Sequence, residues 1–196
     1  MEERDFEGWS DMSIVLSDRI YTVEDYMKMD DGRRYELIGG ELIVVPSPRP
    51  KHQRVSGRIF NKFENFLKNN YLGEVFDAPI DIVLGEHIVQ PDILFIAKGR
   101  LDIIGELNIQ GAPDLVVEIL SPNTAAHDKK KKSQLYFKHG VKEYWLVDPD
   151  AKLVDVFKAG EKEWRWVGTF DQDDILGSSL LPGLEIKLFE VFKGLK

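Results

Sequence analysis

The 196-residue sequence contains no cysteine. Disulfide bonds, thiolate zinc sites and cysteine nucleophiles are therefore excluded together, and the composition fits a reducing compartment. No apolar run approaches the roughly 20 residues that a membrane-spanning helix needs. The first residues are acidic and lack the basic and apolar regions of a signal peptide, so we expect a cytoplasmic protein without membrane association.

Positive charge is also scarce. Lysine and arginine number 26 against 34 aspartate and glutamate residues, which gives a net charge of −8. Contacts with phosphates come mainly from lysine and arginine, so this balance argues against a broad surface that coats nucleic acid. It is compatible with a narrow basic groove, or with an acidic site whose charge is offset by divalent metals.

The remaining composition is typical of a folded domain. Hydrophobic residues make up 43% of the chain and charged residues 31%, so we expect a core and a well-solvated surface. The length favours one domain, with two small domains as the alternative. Residues 1–19 are predicted to form a loose N-terminal arm.

The periodicity of apolar residues predicts an α/β domain with a mixed β-sheet flanked by helices. Helices are predicted from Thr22 to about Met29, over 52–69, and from Asp128 to about His139. Strands are predicted at 75–83, 88–96, 115–120, 141–148 and 184–188, with hairpins at 34–45 and 152–170.

Glu118 is the only carboxylate in the apolar run from Leu115 to Leu120. Such a run is typical of a strand buried on both faces. A carboxylate at or near the core costs free energy unless it is paired, hydrogen-bonded or bound to a metal. Glu118 is therefore a candidate functional residue.

Two proline–aspartate pairs lie in apolar strand contexts, at positions 91–92 and 113–114. If the second and third predicted strands are neighbours, Asp92 and Glu118 meet. Two adjacent carboxylates repel, and one takes up a proton unless a cation binds between them. Oxygen ligands suit Mg²⁺ or Mn²⁺, and such a metal could polarise a phosphate oxygen and generate a nucleophile from water.

A lysine two residues after Glu118 would point into the same site, but position 120 is leucine. The following helix offers four lysines, from Lys129 to Lys132, of which about one can face inward. We choose Lys132, because Asp128, Lys132 and Tyr136 are spaced to share one helix face.

Each residue also has a structural interpretation. Asp92 could cap a turn, Glu118 could form a structural ion pair, and the lysine run could be a solvated helix face. The joint occurrence of all three is much less expected by chance than any one of them.

Several sequence motifs resemble those of a known family. The pair PD at 91–92, followed by E-I-L at 118–120, resembles the PD-(D/E)XK nuclease superfamily, in the variant whose lysine lies on the following helix. The runs RRYELIGGELIVVPSP, VQPDILFI, PDLVVEILSPNT and GVKEYWLVDP resemble more closely the Uma-two family of restriction endonucleases. The resemblance covers about 20–192, leaves 193–196 as a tail, and is most specific over 113–149.

This resemblance implies a restriction-endonuclease-like core and a metal site. Asp92 and Glu118 would hold a divalent metal, Mg²⁺ or Mn²⁺, with the main-chain carbonyl of Ile119 as a further ligand. Lys132 would orient or activate the attacking water and stabilise charge on the phosphate. The absence of a lysine at position 120 is where this chain departs from the superfamily pattern.

Supporting residues are implied in the same way. Glu36 and His52 match positions characteristic of the family and would complete the site, with Glu41 as the alternative to Glu36. Asp128 and Tyr136 would support Lys132.

We therefore predict a Mg²⁺-dependent endodeoxyribonuclease. It would be a hydrolase that binds nucleic acid, and DNA is the expected substrate. Candidates for contacts with the nucleic-acid backbone are Lys129, Lys130, Lys131, Lys51, Arg49 and Arg54. The alternatives are a catalytically silent interaction module and a metal phosphohydrolase that acts on small phosphoesters. The apolar C-terminal strands could support a homodimer.

Overall fold

The structure is a computed structural model that describes residues 19–121 and 127–195, with only the backbone of 127–129. The helices of the described part are Val23–Met27 (α1), Pro50–Asn69 (α2), His127–Lys138 (α3) and Leu188–Phe192 (α4), with a 3₁₀ helix at Lys98–Ile103. The strands are Tyr35–Ile38 (β1), Glu41–Val44 (β2), Gly73–Asp77 (β3), Ile82–Leu84 (β4), His87–Val89 (β5), Ile93–Ala97 (β6), Ile109–Gln110 (β7), Leu115–Ile119 (β8), Glu143–Asp148 (β9), Leu153–Ala159 (β10), Trp164–Phe170 (β11), Ile175–Ser178 (β12) and Leu181–Lys187 (β13).

A six-stranded sheet forms the centre of the molecule, in the order β11-β10-β9-β8-β6-β3. β8 and β9 are parallel and the other pairs are antiparallel, so the sheet is mixed. A parallel pair needs a crossover connection, and α3 lies in the chain between β8 and β9. The predicted α/β fold with a mixed sheet and flanking helices is confirmed.

The two faces of this sheet pack against different layers. On one face Val117 and Ile119 of β8 join a core with α2, β13 and α4. On the other face Val116 packs with Leu135 and Tyr136 of α3 and with residues of a second sheet. Because side chains alternate along a strand, Glu118 shares the face of Val116, towards α3 and the second sheet.

The second sheet has five short strands in the order β2-β1-β5-β4-β7. The predicted hairpin at 34–45 forms its edge, since β1 and β2 pair antiparallel with Ile38 opposite Glu41. Both glycines of the turn have positive φ, 61° at Gly39 and 81° at Gly40, which a two-residue hairpin turn requires.

The predicted strands at 75–83 and 88–96 are wrong as single strands, because each divides between the two sheets. The second one divides at Pro91-Asp92, between β5 of the small sheet and β6 of the large sheet. Pro91 has no N–H to continue a ladder, so it ends the first pairing. The chain thus crosses between the two sheets twice, after β3 and again at Pro91-Asp92. Asp92 therefore lies at the junction of the sheets.

Other predicted elements are confirmed with shifted ends. α2 begins at Pro50, two residues earlier than expected, with proline in the first turn where its missing N–H costs nothing. Strand β12 and the short β7 were not predicted. Of the predicted N-terminal arm only Arg19 is described, and residues 122–126 also lie outside the described ranges. No helix in the described ranges has the length and hydropathy to cross a membrane.

Candidate active site

Asp92 and Glu118 are brought together by the pairing of β6 with β8. Ile93 lies opposite Val117 in this antiparallel pair, and continuing the register by one residue sets Asp92 opposite Glu118. Asp92 Oδ2 accepts a hydrogen bond from the main-chain N–H of Ile119 at 2.7 Å. The carboxylate of Asp92 thus replaces a ladder partner where Pro91 interrupts the strand, and this fixes its orientation beside Glu118.

Lys132 reaches the same place from α3. Its Nζ lies 2.7 Å from Glu118 Oε1 and 2.9 Å from Glu36 Oε1. The side chains of Lys132 and Glu118 are only 12% and 15% exposed. Burial alone would lower the pKa of Lys132, but the carboxylates of Glu118 and Glu36 outweigh it and raise that pKa above its usual range. Lys132 is therefore a permanent cation at the centre of the site.

The pKa of Glu118 lies well above the usual value for a glutamate. Burial raises the pKa of Glu118 from 4.5 to about 7; the charge of Lys132 opposes this, and the negative charges of Asp92 and Glu36 add to it. Three carboxylates lie in the site and Lys132 pairs with two of them, Glu118 and Glu36, while Asp92 pairs with His52. With all three carboxylates ionised and His52 neutral, the site carries excess negative charge.

His52 lies on the other side of Asp92, in the first turn of α2. Its Nε2 is 3.2 Å from Asp92 Oδ2. Burial would lower the pKa of His52, but the hydrogen bond and charge of Asp92 outweigh it and raise that pKa. The backbone of Ile119 is a further neighbour of the imidazole.

Tyr136 forms a hydrogen bond with Glu118, and Glu36 forms one with Lys132. The Tyr136 hydroxyl donates to Glu118 Oε1 at 2.6 Å, so it contacts the carboxylate and not Lys132 as expected from the sequence. Burial and the charge of Glu118 raise the pKa of Tyr136, which keeps it a donor. Glu36 is buried on β1 and accepts from the main-chain N–H of Gln90 at 2.7 Å. The side chain of Asp128 lies outside the described residues.

These groups open into a cavity of about 430 Å³ between α2, the β1–β2 hairpin and the ends of β6 and β8. Its lining includes Arg34, Glu36, Ser47, His52, Gln53, Asp77, Gln90, Asp92, Glu118, Ile119, Lys132 and Tyr144. We call it the main cavity. A volume of this size is in the range of ligand sites in proteins.

A divalent metal fits the chemistry of this donor set. The group of oxygens comprises the carboxylates of Asp92 and Glu118 and the main chain of Ile119, and oxygen donors suit Mg²⁺ and Mn²⁺. In the described contacts, Asp92 uses only its Oδ2 atom and Glu118 only its Oε1 atom. Within the described ranges no three histidine, cysteine, aspartate or glutamate side chains form a ready-made metal cluster. The excess negative charge, more than the ligand count, supports a cation here.

Two other candidate carboxylates, Asp114 and Glu41, form ion pairs outside the main cavity. Asp114 of the second proline–aspartate pair is fully buried and forms ion pairs with Arg100 at 3.1 Å and Lys142 at 2.7 Å, so it serves the fold. Glu41 pairs with Lys131 at 2.9 Å outside the main cavity, and Glu36 is the glutamate that reaches the site.

The sequence patterns do not identify Gln90 as a site residue. Its main-chain N–H binds Glu36, and its side-chain Nε2 donates to Asp81 Oδ1 at 2.7 Å, where the Tyr26 hydroxyl also donates at 2.9 Å. This network anchors Glu36 from α1 and β4. The available signal was a polar residue directly before Pro91-Asp92 in an apolar run.

Comparisons with known proteins support the fold and identify the family. The chain is 25% identical to a solved structure from Anabaena variabilis, described as a putative nuclease belonging to DUF820, with a TM-score of 0.74. The match covers 88% of this chain and 97% of that chain. The chain therefore shares the fold of a protein described as a nuclease.

Two relatives come from Synechocystis sp. The uncharacterised protein sll1609 is 24% identical over 159 residues, covering 78% of this chain and 89% of the relative. The uncharacterised protein slr1290 is 25% identical over 178 residues, covering 88% and 91%. A family model described as putative restriction endonuclease matches residues 23–189, so the resemblance seen in the sequence is confirmed and the chain belongs to the Uma2 family.

Proposed function

We propose that this chain is a divalent-metal-dependent nuclease that hydrolyses phosphodiester bonds in DNA. The observation that supports it most is the meeting of Asp92 and Glu118 on neighbouring strands, with Lys132 inserted between Glu118 and Glu36. Family membership supports the reaction class, and the donor set supports the metal.

Each residue has a role in this proposal. Asp92, Glu118 and the carbonyl of Ile119 would hold Mg²⁺ or Mn²⁺, and the bound ion would supply Lewis acidity towards the phosphate and the attacking water. Lys132 places its ammonium beside the phosphate and offsets the charge that develops there. His52 fixes Asp92 through its contact at 3.2 Å, and Glu36 and Tyr136 fix Lys132 and Glu118.

The backbone of the substrate would meet the basic residues around the main cavity. Lys51 and Lys131 already pair with Asp150 and Glu41, at 2.5 and 2.9 Å, so binding of a phosphate there exchanges one partner for another. Such exposed pairs are worth little, at most about 1 kcal/mol, and do not prevent the exchange.

Cleavage assays test the proposal. We expect plasmid or single-stranded DNA to be cut with Mn²⁺ or Mg²⁺ and not with EDTA, and Asp92→Asn to lower the rate by about 10²–10³-fold. RNA and nucleotides are tested in parallel. DNA cleavage unchanged in Asp92→Asn, or metal binding without cleavage of any nucleic acid, would contradict a nuclease with this site.

A phosphohydrolase of small phosphoesters is the second candidate. The net charge of −8 and the enclosed position of Glu118 and Lys132 favour it, because a long polyanion is repelled more strongly than a single phosphoester. Release of phosphate from nucleotides, with DNA left intact, would decide for this activity.

Metal affinity should depend on pH through Glu118. A cation competes with the proton that Glu118 retains below about pH 7, so the Mn²⁺ affinity should rise up to about tenfold per pH unit below pH 7 and level off above it. Isothermal titration calorimetry between pH 5.5 and 8.5 measures this. An affinity that is constant over the range would contradict Glu118 as a ligand with a raised pKa.

A further inference from the structure

A second cavity, of about 360 Å³, lies beyond the β1–β2 turn from the main cavity. Its lining residues are Ile38, Gly39, Glu41, His87, Lys131, Gln134, Leu135, Lys138 and His139. We call it the turn cavity. Its polar groups are mainly hydrogen-bond donors: two lysines, an amide and two imidazoles, against the single carboxylate of Glu41.

The protonation of His87 favours an anion over a metal in this cavity. The main-chain N–H of Gly39 donates to His87 Nδ1 at 2.9 Å, so that nitrogen carries a lone pair and the proton lies on Nε2. Nε2 then offers an N–H, which binds an acceptor and cannot ligate a metal. The ring centroids of His87 and the neighbouring His139 are 5.8 Å apart, in an edge-to-face arrangement.

The local charge of the turn cavity also favours an anion. Glu41 is neutralised by Lys131 at 2.9 Å, which leaves the charge of Lys138 uncompensated among the lining residues. Burial is the main cause that lowers the pKa of His139, and the neighbouring His87 and Lys138 act in the same direction. The C-terminal carbonyls of α3 disfavour an anion, and the charge of Lys138 opposes that effect.

The turn cavity is connected to the candidate active site by two elements. Glu36 of β1 lines the main cavity and Gly39, in the turn directly after β1, lines the turn cavity; the two residues are three positions apart, at most about 10 Å at 3.3 Å per residue. Along α3, Lys132 and Lys131 are consecutive and line the main and the turn cavity respectively. Ten ångströms is about three nucleotides of a stacked strand, at 3.4 Å each.

We propose that the turn cavity is a phosphate-binding subsite that holds a backbone phosphate about three nucleotides from the phosphate at Lys132. The proposal rests on the proposed nuclease function. Lys138, Lys131 and the Nε2–H of His87 bind the phosphate oxygens, and the subsite sets the length of strand that the protein prefers.

Two ligands and a matched pair of variants test the subsite. The imidazole signals of His87 and His139 are followed by NMR while inorganic phosphate, and separately a hexanucleotide and a dinucleotide of DNA, are added to the wild-type protein without metal. We expect phosphate and the hexanucleotide to shift both signals and the dinucleotide to leave them unchanged.

Lys138→Ala is compared with Lys68→Ala. Lys68 is also in the last turn of a helix, is 66% exposed and lines neither cavity. Lys138→Ala should weaken hexanucleotide binding about three- to tenfold at low salt and reduce the salt slope by about 0.7, with dinucleotide binding and thermal stability unchanged. Lys68→Ala should behave as wild type.

The outcomes separate the subsite from the nuclease proposal. Shifts with phosphate but not with the hexanucleotide would overturn the strand-binding role and assign the cavity to free phosphate. No shift with either ligand, or equal losses in both alanine variants, would overturn the subsite altogether. DNA cleavage by the wild-type protein is measured independently, so loss of the subsite leaves the nuclease proposal standing, whereas absence of cleavage does not.

Discussion

Replacing Lys132 with methionine is expected to lower phosphodiester cleavage by about 10²–10³-fold, the usual effect of removing one group that stabilises developing charge. Methionine retains most of the length and apolar volume of the lysine stem but has no charge. The effect should fall on kcat more than on KM, because the ammonium interacts most strongly with the charge that develops in the transition state.

The same substitution should destabilise the metal-free protein. Lys132 is the shared cation of Glu36 and Glu118, at 2.9 and 2.7 Å, and its removal leaves two buried carboxylates facing each other. Loss of one partner from a buried pair costs about 3–5 kcal/mol. At about 2–4 °C per kcal/mol for a chain of this size, the melting temperature should fall by roughly 6–20 °C. Differential scanning calorimetry with EDTA measures it.

Lys131 provides the matched control. It is the preceding residue of α3 and also pairs with a glutamate, but its side chain is 39% exposed and that of Glu41 is 46% exposed. Lys131→Met should therefore change stability by no more than about 1 kcal/mol. Loss of a phosphate contact at Lys131 should raise KM and leave kcat unchanged. If Lys131→Met lowers kcat and stability as much as Lys132→Met does, the assignment of the catalytic lysine is wrong.

The choice of Lys132 shows how far local patterns determine the site. Helical spacing placed Lys132 and Tyr136 on one face, and the structure buries both beside Glu118. The apolar run around Glu118 predicted a strand buried on both faces, and β8 lies between two cores. These predictions succeeded because periodicity reports directly on which side of an element is buried.

The remaining features depend on pairings between distant segments. The division of 88–96 between two sheets follows from competition for partners, and periodicity within one segment does not report it. Glu36 is buried because β5 pairs with β1 and Lys132 of α3 contacts its carboxylate, and the sequence of the hairpin alone does not report either contact. Gln90 and Asp81 hold Glu36 through a network that links β4 to the residue before Pro91, which no single pattern encodes.

Glu118→Gln is expected to abolish measurable Mn²⁺ binding at pH 8, at least a 100-fold loss of affinity. Glutamine keeps the shape of the side chain and an oxygen that can accept from Tyr136, but it removes one of the two proposed anionic ligands. A carboxylate is the stronger donor to a hard cation, so the neutral amide should not compensate. Calorimetric titration at pH 8 measures the loss. Glu143→Gln is the control, because Glu143 is also a strand glutamate and is even more deeply buried, accepts from Trp145 Nε1 at 2.8 Å and lines neither cavity.

The metal-free Glu118→Gln protein should nevertheless be more stable than wild type at pH 8. Because the pKa of Glu118 is raised from 4.5 to about 7 on folding, its contribution to stability is complete below about pH 4.5 and is lost as the pH rises to about 7. The deficit at pH 8 is on the order of 3 kcal/mol, and a neutral glutamine avoids it. We expect the melting temperature to exceed that of wild type by roughly 6–12 °C at pH 8, and to equal it near pH 4.5, where wild-type Glu118 is protonated. A variant less stable than wild type at pH 8 would mean that the pair with Lys132 outweighs the burial of charge, and that Glu118 serves the fold more than it serves a cation.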